Sequence, residues 1–346
     1  MLFSKILNRW YSNNKRELPW RQTKDPYYIW LSEIILQQTQ IKQGLPYYKA
    51  FVTEFPSVFH LANAEESQVL KLWQGLGYYS RARNLHATAK HIVDGLDGEF
   101  PKTYKELLKL KGVGDYTASA MASICFNEPT AVVDGNVYRF LSRYFGIETP
   151  INSSKGAKGF KQLAQDLIDK KNPADFNQAI MEFGAMQCKP QNPNCNVCPF
   201  QSNCIAFQKK CIDAFPVKIK PNKASRKHFN FLVFVSKDER TILEKRKGKG
   251  IWQNLFQFPL IETEKVINFK KFRAILEDNH LLKGIAFELA LYNENTIIHK
   301  LSHQHLYTKF WIVNVDKLLI DGIPIEEVLE YPVPKLISNF IEDFNF

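Results

Sequence analysis

Along the first two hundred residues the apolar positions recur every three or four residues, the spacing that gathers them on one face of an α-helix. Phe3, Ile6, Leu7 and Trp10 form such a face at the start. The same periodicity, or a capping signal, predicts helices over Tyr28–Gln40, Glu65–Trp73, Ala82–Val93, Tyr104–Leu110, Thr117–Cys125, Val137–Phe145 and Gly159–Lys171. Beyond residue 226 the texture changes. Phe229–Val235, Thr241–Lys245, Ala286–Leu291 and Phe310–Val315 are short runs rich in β-branched and aromatic residues, which predict strands. Helical patterns near Lys265–Glu277 and Pro334–Phe344 are interspersed. Between the two textures lies a basic stretch in which Lys209, Lys210, Lys218, Lys220, Lys223, Arg226 and Lys227 face Asp213 alone. The expected organisation is multidomain: an all-α domain over 1–206, a basic linker over 207–226 and a smaller α+β domain over 227–346.

A chain of 346 residues with 45% hydrophobic and 13% aromatic content can bury two cores, so disorder is not the expectation. No apolar run is long enough to suggest a membrane span, and the N-terminus lacks the apolar centre of a secretory signal. A cytoplasmic, bacterial setting on the nucleoid and a monomeric state are the corresponding expectations. The formal net charge of +11 suits a polyanionic partner, because neutralising phosphates releases counterions. Charge alone serves solubility equally well.

Four of the six cysteines cluster as Cys188-x6-Cys195-x2-Cys198-x5-Cys204, leaving Cys125 and Cys211 outside. In a chain without secretory features this points to metal ligation rather than a disulfide framework. Four thiolates can surround an iron–sulfur cubane or a single zinc; one CxxC flanked by longer gaps favours the cluster over the paired spacing of zinc sites. With the preceding Phe176-Asn177-Gln178-Ala179-Ile180-Met181-Glu182-Phe183-Gly184, the spacing resembles the endonuclease III superfamily of DNA glycosylases, and in detail its adenine DNA glycosylase branch. The resemblance implies a helix–hairpin–helix glycosylase domain with a 4Fe-4S cluster on Cys188, Cys195, Cys198 and Cys204.

Glu33 stands within Ile29-Trp30-Leu31-Ser32-Glu33-Ile34-Ile35-Leu36. A carboxyl in such apolar surroundings is desolvated and its pKa rises, which suits a general acid. Asp134 falls where Ala131-Val132-Val133 meets a helical pattern, and its plain reading is an N-cap. Both lie in segments that match family motifs. The resemblance implies that Glu33 protonates adenine at N7. It implies that Asp134 stabilises the sugar cation or traps it covalently, with Asn136 orienting the groups. Leu110-Lys111-Gly112-Val113-Gly114 is, taken alone, a tight turn between helices. By resemblance it is the superfamily's phosphate clamp, with Gly112 and Gly114 giving the backbone its approach and Lys111 replacing the usual proline. Tyr116 occupies the position where strand-cleaving members carry lysine, and a phenol cannot form a Schiff base. A monofunctional enzyme with little lyase activity is expected, with Tyr116 free to hydrogen-bond a catalytic carboxylate.

A target base must leave the helical stack before its glycosidic bond can be reached. The resemblance implies that Gln38 and Tyr78 insert into the duplex, that Thr39 and Leu76 contact the lesion, and that Arg21 of Leu18-Pro19-Trp20-Arg21 lines the same region. Arg81 and Arg83 are candidate phosphate contacts. In the second domain, Lys245–Pro259 resembles the start of a Nudix-like domain, and Lys265–Glu277 lacks the glutamate array a pyrophosphohydrolase needs, so recognition without hydrolysis is expected. His299-Lys300-Leu301-Ser302-His303 resembles the family's Phe-Ser-His loop, which implies that Ser302 and His303 read 8-oxoguanine; Leu301 departs from that pattern. Metal binding by His303 and His305 is the competing reading. The expected partner is double-stranded DNA with 8-oxoguanine:adenine or guanine:adenine mispairs. Alternatives are a lyase for oxidised pyrimidines, disfavoured by Tyr116, and a non-catalytic redox-sensing DNA-binding protein, disfavoured by the presence of both Glu33 and Asp134.

Overall fold

The helical periodicity is realised almost throughout the N-terminal part of the chain, in a computed structural model that describes residues 2–220 and 223–344. In chain order the helices are α1 (Leu2–Asn14), α2 (Pro26–Leu36), α3 (Ile41–Glu54), α4 (Val58–Asn63), α5 (Glu66–Leu72) and α6 (Ser80–Leu96). They continue as α7 (Tyr104–Leu107), α8 (Asp115–Phe126), α9 (Gly135–Phe145), α10 (Ser154–Leu167), α11 (Pro173–Met186) and α12 (Ile205–Gln208). The chain forms two compact units: Met1–Asn63 with Asn84–Lys220, and Ala64–Arg83 with Pro221–Phe346.

In the first unit α2 and α8 are the buried helices. Ile29 through Ile35 and Thr117 through Ile124 have no exposed face, and the two helices pack on each other. A helix apolar all round belongs in the interior, which explains how Glu33 comes to be buried. α2 starts cleanly because Pro26 occupies its first turn and the Asp25 carboxylate accepts from the Tyr27 amide at 2.8 Å. It stops at Leu36, short of the expected Gln40, and Gln38 turns the chain with a φ of 54°. Helix α3 was not expected over Gly44 and Pro46. Gly44 is required because a Cβ there would stand 2.9 Å from Leu36 Cδ2, so its absence lets α3 lie against α2. A second core gathers Phe3, Phe140, Phe183 and Phe200 between α1, α9, α11 and the cysteine loop.

The basic stretch differs from the expected linker. Through Lys220 it groups with the helical unit: Arg143 donates to the Ile212 and Phe215 carbonyls at 3.2 and 3.3 Å, and the Ile151 amide meets the Val217 carbonyl at 3.0 Å. Pro221 and Asn222 lie outside the described residues.

The second unit is built on a mixed sheet. Its strands are β1 (Ser225–Ser236), β2 (Arg240–Thr241), β3 (Glu244–Lys245), β4 (Phe256–Gln257), β5 (Leu260–Thr263), β6 (Phe287–Leu291), β7 (Ile297–Lys300), β8 (Gln304–Val315) and β9 (Ile323–Pro324). β1 runs parallel to β8 along its whole length, from Ser225 beside Gln304 to Ser236 beside Val315. β5 flanks β1 antiparallel, and β6 and β7 both pair antiparallel with β8. Residues 229–234 are buried in unbroken succession, as expected of a central strand covered on both faces. One cover is α13 (Phe269–Glu277), whose Phe272 stacks on Trp311 at 4.2 Å; the other is α14 (Lys335–Phe344), whose Phe340 stacks on Phe310 at 4.0 Å. The expected strand Thr241–Lys245 is two short pieces with different partners: Arg240 and Thr241 pair with β9, whereas Glu244 and Lys245 pair with β4. Among the described residues no helix is long and apolar enough to cross a membrane.

Candidate active site, thiol loop and recognition cleft

Glu33 opens on a cavity of about 170 Å³ that Arg21, Thr39, Tyr116, Asp134 and Asn136 also line. The fold thus brings together groups more than a hundred residues apart. Burial pushes Glu33 up to about 7 from its usual 4.5; a hydrogen bond from Tyr116 opposes this, the nearby Asp134 charge adds to it, and Arg21 opposes it. At neutral pH its protonated and ionised forms are therefore both populated. The Tyr116 hydroxyl also lies 3.2 Å from Met181 Sδ. Burial and the two carboxylates raise the Tyr116 pKa well above its ordinary value, so it stays a proton donor.

Asp134 combines its plain role with a place in the cavity. Its Oδ1 accepts from the Asn136 and Val137 amides at 2.9 and 2.8 Å, capping α9, and its Oδ2 accepts from Asn136 Nδ2 at 2.8 Å. Burial raises its pKa, while these hydrogen bonds and the Arg139 charge pull it back. Asn136 is held in turn by Arg139, which donates to its Oδ1 at 2.9 Å. A Cβ on Gly184 would stand 2.6 Å from the Asn136 carbonyl oxygen, so glycine lets α11 approach the start of α9.

Arg21 reaches the cavity as half of a clamp. It donates to Glu182 at 3.1 and 2.8 Å, and Arg16 Nε donates to the same carboxylate at 2.8 Å. Burial pushes Glu182 up, but the hydrogen bonds from Arg16 and Arg21 outweigh it and hold it at about 2. Sequence reasoning assigned no role to Arg16 or Glu182. Glu182 also sits among apolar residues, Ala179-Ile180-Met181 before it and Phe183 after it, which was the available signal.

The turn before α8 has the expected conformation. Gly112 adopts a φ of 80° with a hypothetical Cβ 2.7 Å from Asn84 Cβ, and Gly114 caps α8 with no side chain over the first amides. Exposed amides at a helix start can receive an anion.

Cys188, Cys195, Cys198 and Cys204 line one small cavity of about 30 Å³ walled by Phe140, Phe183, Phe200 and Phe207. None forms a disulfide. Arg143 Nη1 lies 3.5 Å from Cys188 Sγ and donates to the Lys189 carbonyl at 2.6 Å, and its Nη2 donates to the Pro190 carbonyl at 3.0 Å. Burial and the neighbouring thiols raise Cys195 and Cys204, and Cys198 to about 11. Among the described residues no three His, Cys, Asp or Glu side chains converge on a single-ion site, the pair His303 and His305 included.

The second unit holds a larger cleft of about 610 Å³ lined by Leu76, Tyr78, Trp252, His299, Ser302 and His303. Tyr78 is about half exposed at a φ of 47°, and its hydroxyl lies 2.6 Å from Ser302 Oγ. Arg81 departs from its expected place on the phosphate-facing surface. It is buried, its guanidinium lies 5.0 Å from the Trp73 ring, and it donates to the Leu76 and Gly77 carbonyls at 3.3 and 3.2 Å. Burial lowers its pKa to about 10. Arg83 is half-buried and donates to the Gln253 carbonyl at 2.9 Å. Gln38 is exposed in the first unit, outside the Glu33 cavity that Thr39 lines.

Residues 31–170 match the family described as HhH-GPD superfamily base excision DNA repair protein, and residues 230–343 match the NUDIX domain. The chain is 35% identical over 316 residues to an adenine DNA glycosylase of Buchnera aphidicola subsp. Schizaphis graminum, spanning 91% of this chain and 88% of that protein. Among solved structures it is similar to a thermostable thymine-DNA glycosylase, with a TM-score of 0.56 and 30% identity over 60% of this chain and 96% of that one. It shares its fold with an endonuclease III in a non-covalent DNA complex, with a TM-score of 0.53 and 21% identity over 60% of this chain and 95% of that one.

Proposed function

The chain belongs to the adenine DNA glycosylase family, and from that premise we propose that it excises adenine paired with 8-oxoguanine, using Glu33 as general acid. It is a DNA glycosylase of the base excision repair superfamily. The observation that carries the reading is a carboxyl raised to about 7 by burial, facing Asp134 and Tyr116 across one cavity. The everted adenine enters that cavity from double-stranded DNA, and protonated Glu33 donates to N7 as the glycosidic bond breaks. Positive charge grows on the sugar, and the Asp134 carboxylate stabilises it or captures it before water attacks. Tyr116 donates to Glu33 once it is ionised and offers no amine, so base removal ends without strand cleavage. Tyr78 and Ser302, joined by their hydroxyls, fit a surface that meets the partner base. Gly112 and Gly114 fit a phosphate contact.

The thiol loop fits the family's cluster. Four thiols surround one cavity without a disulfide, and their mutual charge opposes ionisation unless cations compensate. Cys188, Cys195, Cys198 and Cys204 would hold a 4Fe-4S group, which when bound braces the loop between α11 and α12. None of the residues lining that cavity lines the Glu33 cavity, and no proton transfer here depends on it.

Single-turnover assays on duplexes with 8-oxoguanine:adenine, guanine:adenine and oxidised-pyrimidine pairs test the reading. Adenine release fastest opposite 8-oxoguanine, with strands intact until alkali is added, is expected. Strand cleavage without alkali, or preferential release of oxidised pyrimidines, overturns it.

A further inference from the structure

The groups around Glu33 arrive on elements far apart in sequence. Asp134 ends an extended segment, residues 129–133, that belongs to no helix or strand, so its backbone groups need partners elsewhere. Helix α10 supplies several. Gln165 accepts from the Ala131 amide at 2.9 Å and donates to the Pro129 carbonyl at 2.6 Å. Lys161, one turn earlier, donates to the Ala131 carbonyl at 2.7 Å. Asn177 of α11 accepts from the Val132 amide at 3.0 Å.

Of these three side chains, Asn177 also reaches the later part of α8, donating to Ser123 Oγ at 2.8 Å, and Lys161 reaches its first turns. Its ammonium stands 2.9 Å from the Asp115 carboxylate and 2.7 Å from Ser119 Oγ. It lies 5.4 Å from the centre of the Tyr104 ring, whose hydroxyl donates to the same Asp115 carboxylate at 2.5 Å. Three N–H donors thus meet three acceptors on two elements, which an ammonium can do and a neutral side chain of the same length cannot. One of those elements carries Tyr116 directly after Asp115. The other ends, three residues beyond Ala131, in Asp134. We propose that Lys161 is a positioning residue for adenine release: it ties the 131–134 segment to the first turns of α8 and so sets how Asp134 and Tyr116 face each other across the cavity. The inference rests on the proposed roles of those two residues.

Lys161→Met keeps the stem and removes the donors. In the full chain with a guanine:adenine duplex and saturating enzyme, the single-turnover rate of adenine release should fall at least about 10-fold, since small misplacements of reacting groups are costly. Affinity for a duplex with a non-hydrolysable adenine nucleotide should stay within about 3-fold, and Lys161→Arg, which retains donors, should recover most of the rate. A parent-like rate in Lys161→Met overturns the proposal. So does a rate loss that follows affinity, or one that Lys161→Arg fails to restore. If Lys161→Met does not fold, Ser119→Ala removes one α8 acceptor alone. A rate loss of about 2-fold or more at unchanged affinity then supports the proposal, and the parent rate overturns it. Glu33→Gln, measured alongside, separates the two readings. Undiminished release there rejects the assignment of the cavity itself. Loss there with parent-like release by Lys161→Met rejects only the positioning role.

Discussion

Replacing Glu33 by glutamine should change how the protein's stability depends on pH. The carboxyl titrates at about 7 in the folded state, against 4.5 where nothing perturbs it. Below 4.5 it is protonated in both states. Between the two values the unfolded chain has released its proton while the folded protein retains it, so stability falls as pH rises through this window. A shift of about 2.5 units at about 1.4 kcal/mol each amounts to about 3 kcal/mol, lost in full above pH ~7. Glutamine does not titrate. In urea titrations of both proteins at intervals from pH 4 to pH 8, the stability of Glu33→Gln relative to the parent should therefore rise by about 3 kcal/mol, most steeply between about 4.5 and 7. Carboxylates that do not interact with Glu33 cancel in the difference. A pH-independent difference would show that Glu33 ionises in the folded protein as it does in water, and the acid assignment would lose its physical basis.

Two further substitutions test other parts of the account. Ser302→Ala should reduce the preference for 8-oxoguanine:adenine over guanine:adenine by about 2- to 10-fold, the worth of one hydrogen bond, in parallel single-turnover rates; an unchanged ratio rejects the serine as a lesion contact. Gly112→Ala forces a φ of 80° on a residue whose Cβ would stand 2.7 Å from Asn84. It should cost about 1–3 kcal/mol in urea denaturation and weaken duplex binding, and a neutral result would mean the turn is not held in this conformation.

Glu33 was legible because burial leaves a trace in local sequence: a carboxyl in a helix apolar on nearly every side has no exposed face to occupy. That Cys188, Cys195, Cys198 and Cys204 gather around one cavity was legible through their spacing. Asp134 was only half legible. Its capping role follows from its place before α9, whereas its place beside Glu33 depends on α2 packing on α8 and on α11 packing against both α8 and α9. Arg81 was misread for a related reason. An arginine in a loop with glycines and tyrosines reads as a surface cation, and only the folded loop reveals the Leu76 and Gly77 carbonyls that need a donor. The grouping of Ala64–Arg83 with the C-terminal unit is likewise invisible locally, because its helix signals match those of its neighbours. Helix α3 escaped because Gly44 and Pro46 signal a break, while the close approach to Leu36 that favours glycine is a tertiary fact.

The central claim is that Glu33 delivers the proton that frees adenine. Its most direct test is single-turnover adenine release from an 8-oxoguanine:adenine duplex by the parent and by Glu33→Gln, each at saturating enzyme with binding measured separately. The account predicts duplex affinity close to the parent's and a release rate lower by at least about 100-fold, the scale of general acid catalysis. Release by Glu33→Gln within a few-fold of the parent would contradict it.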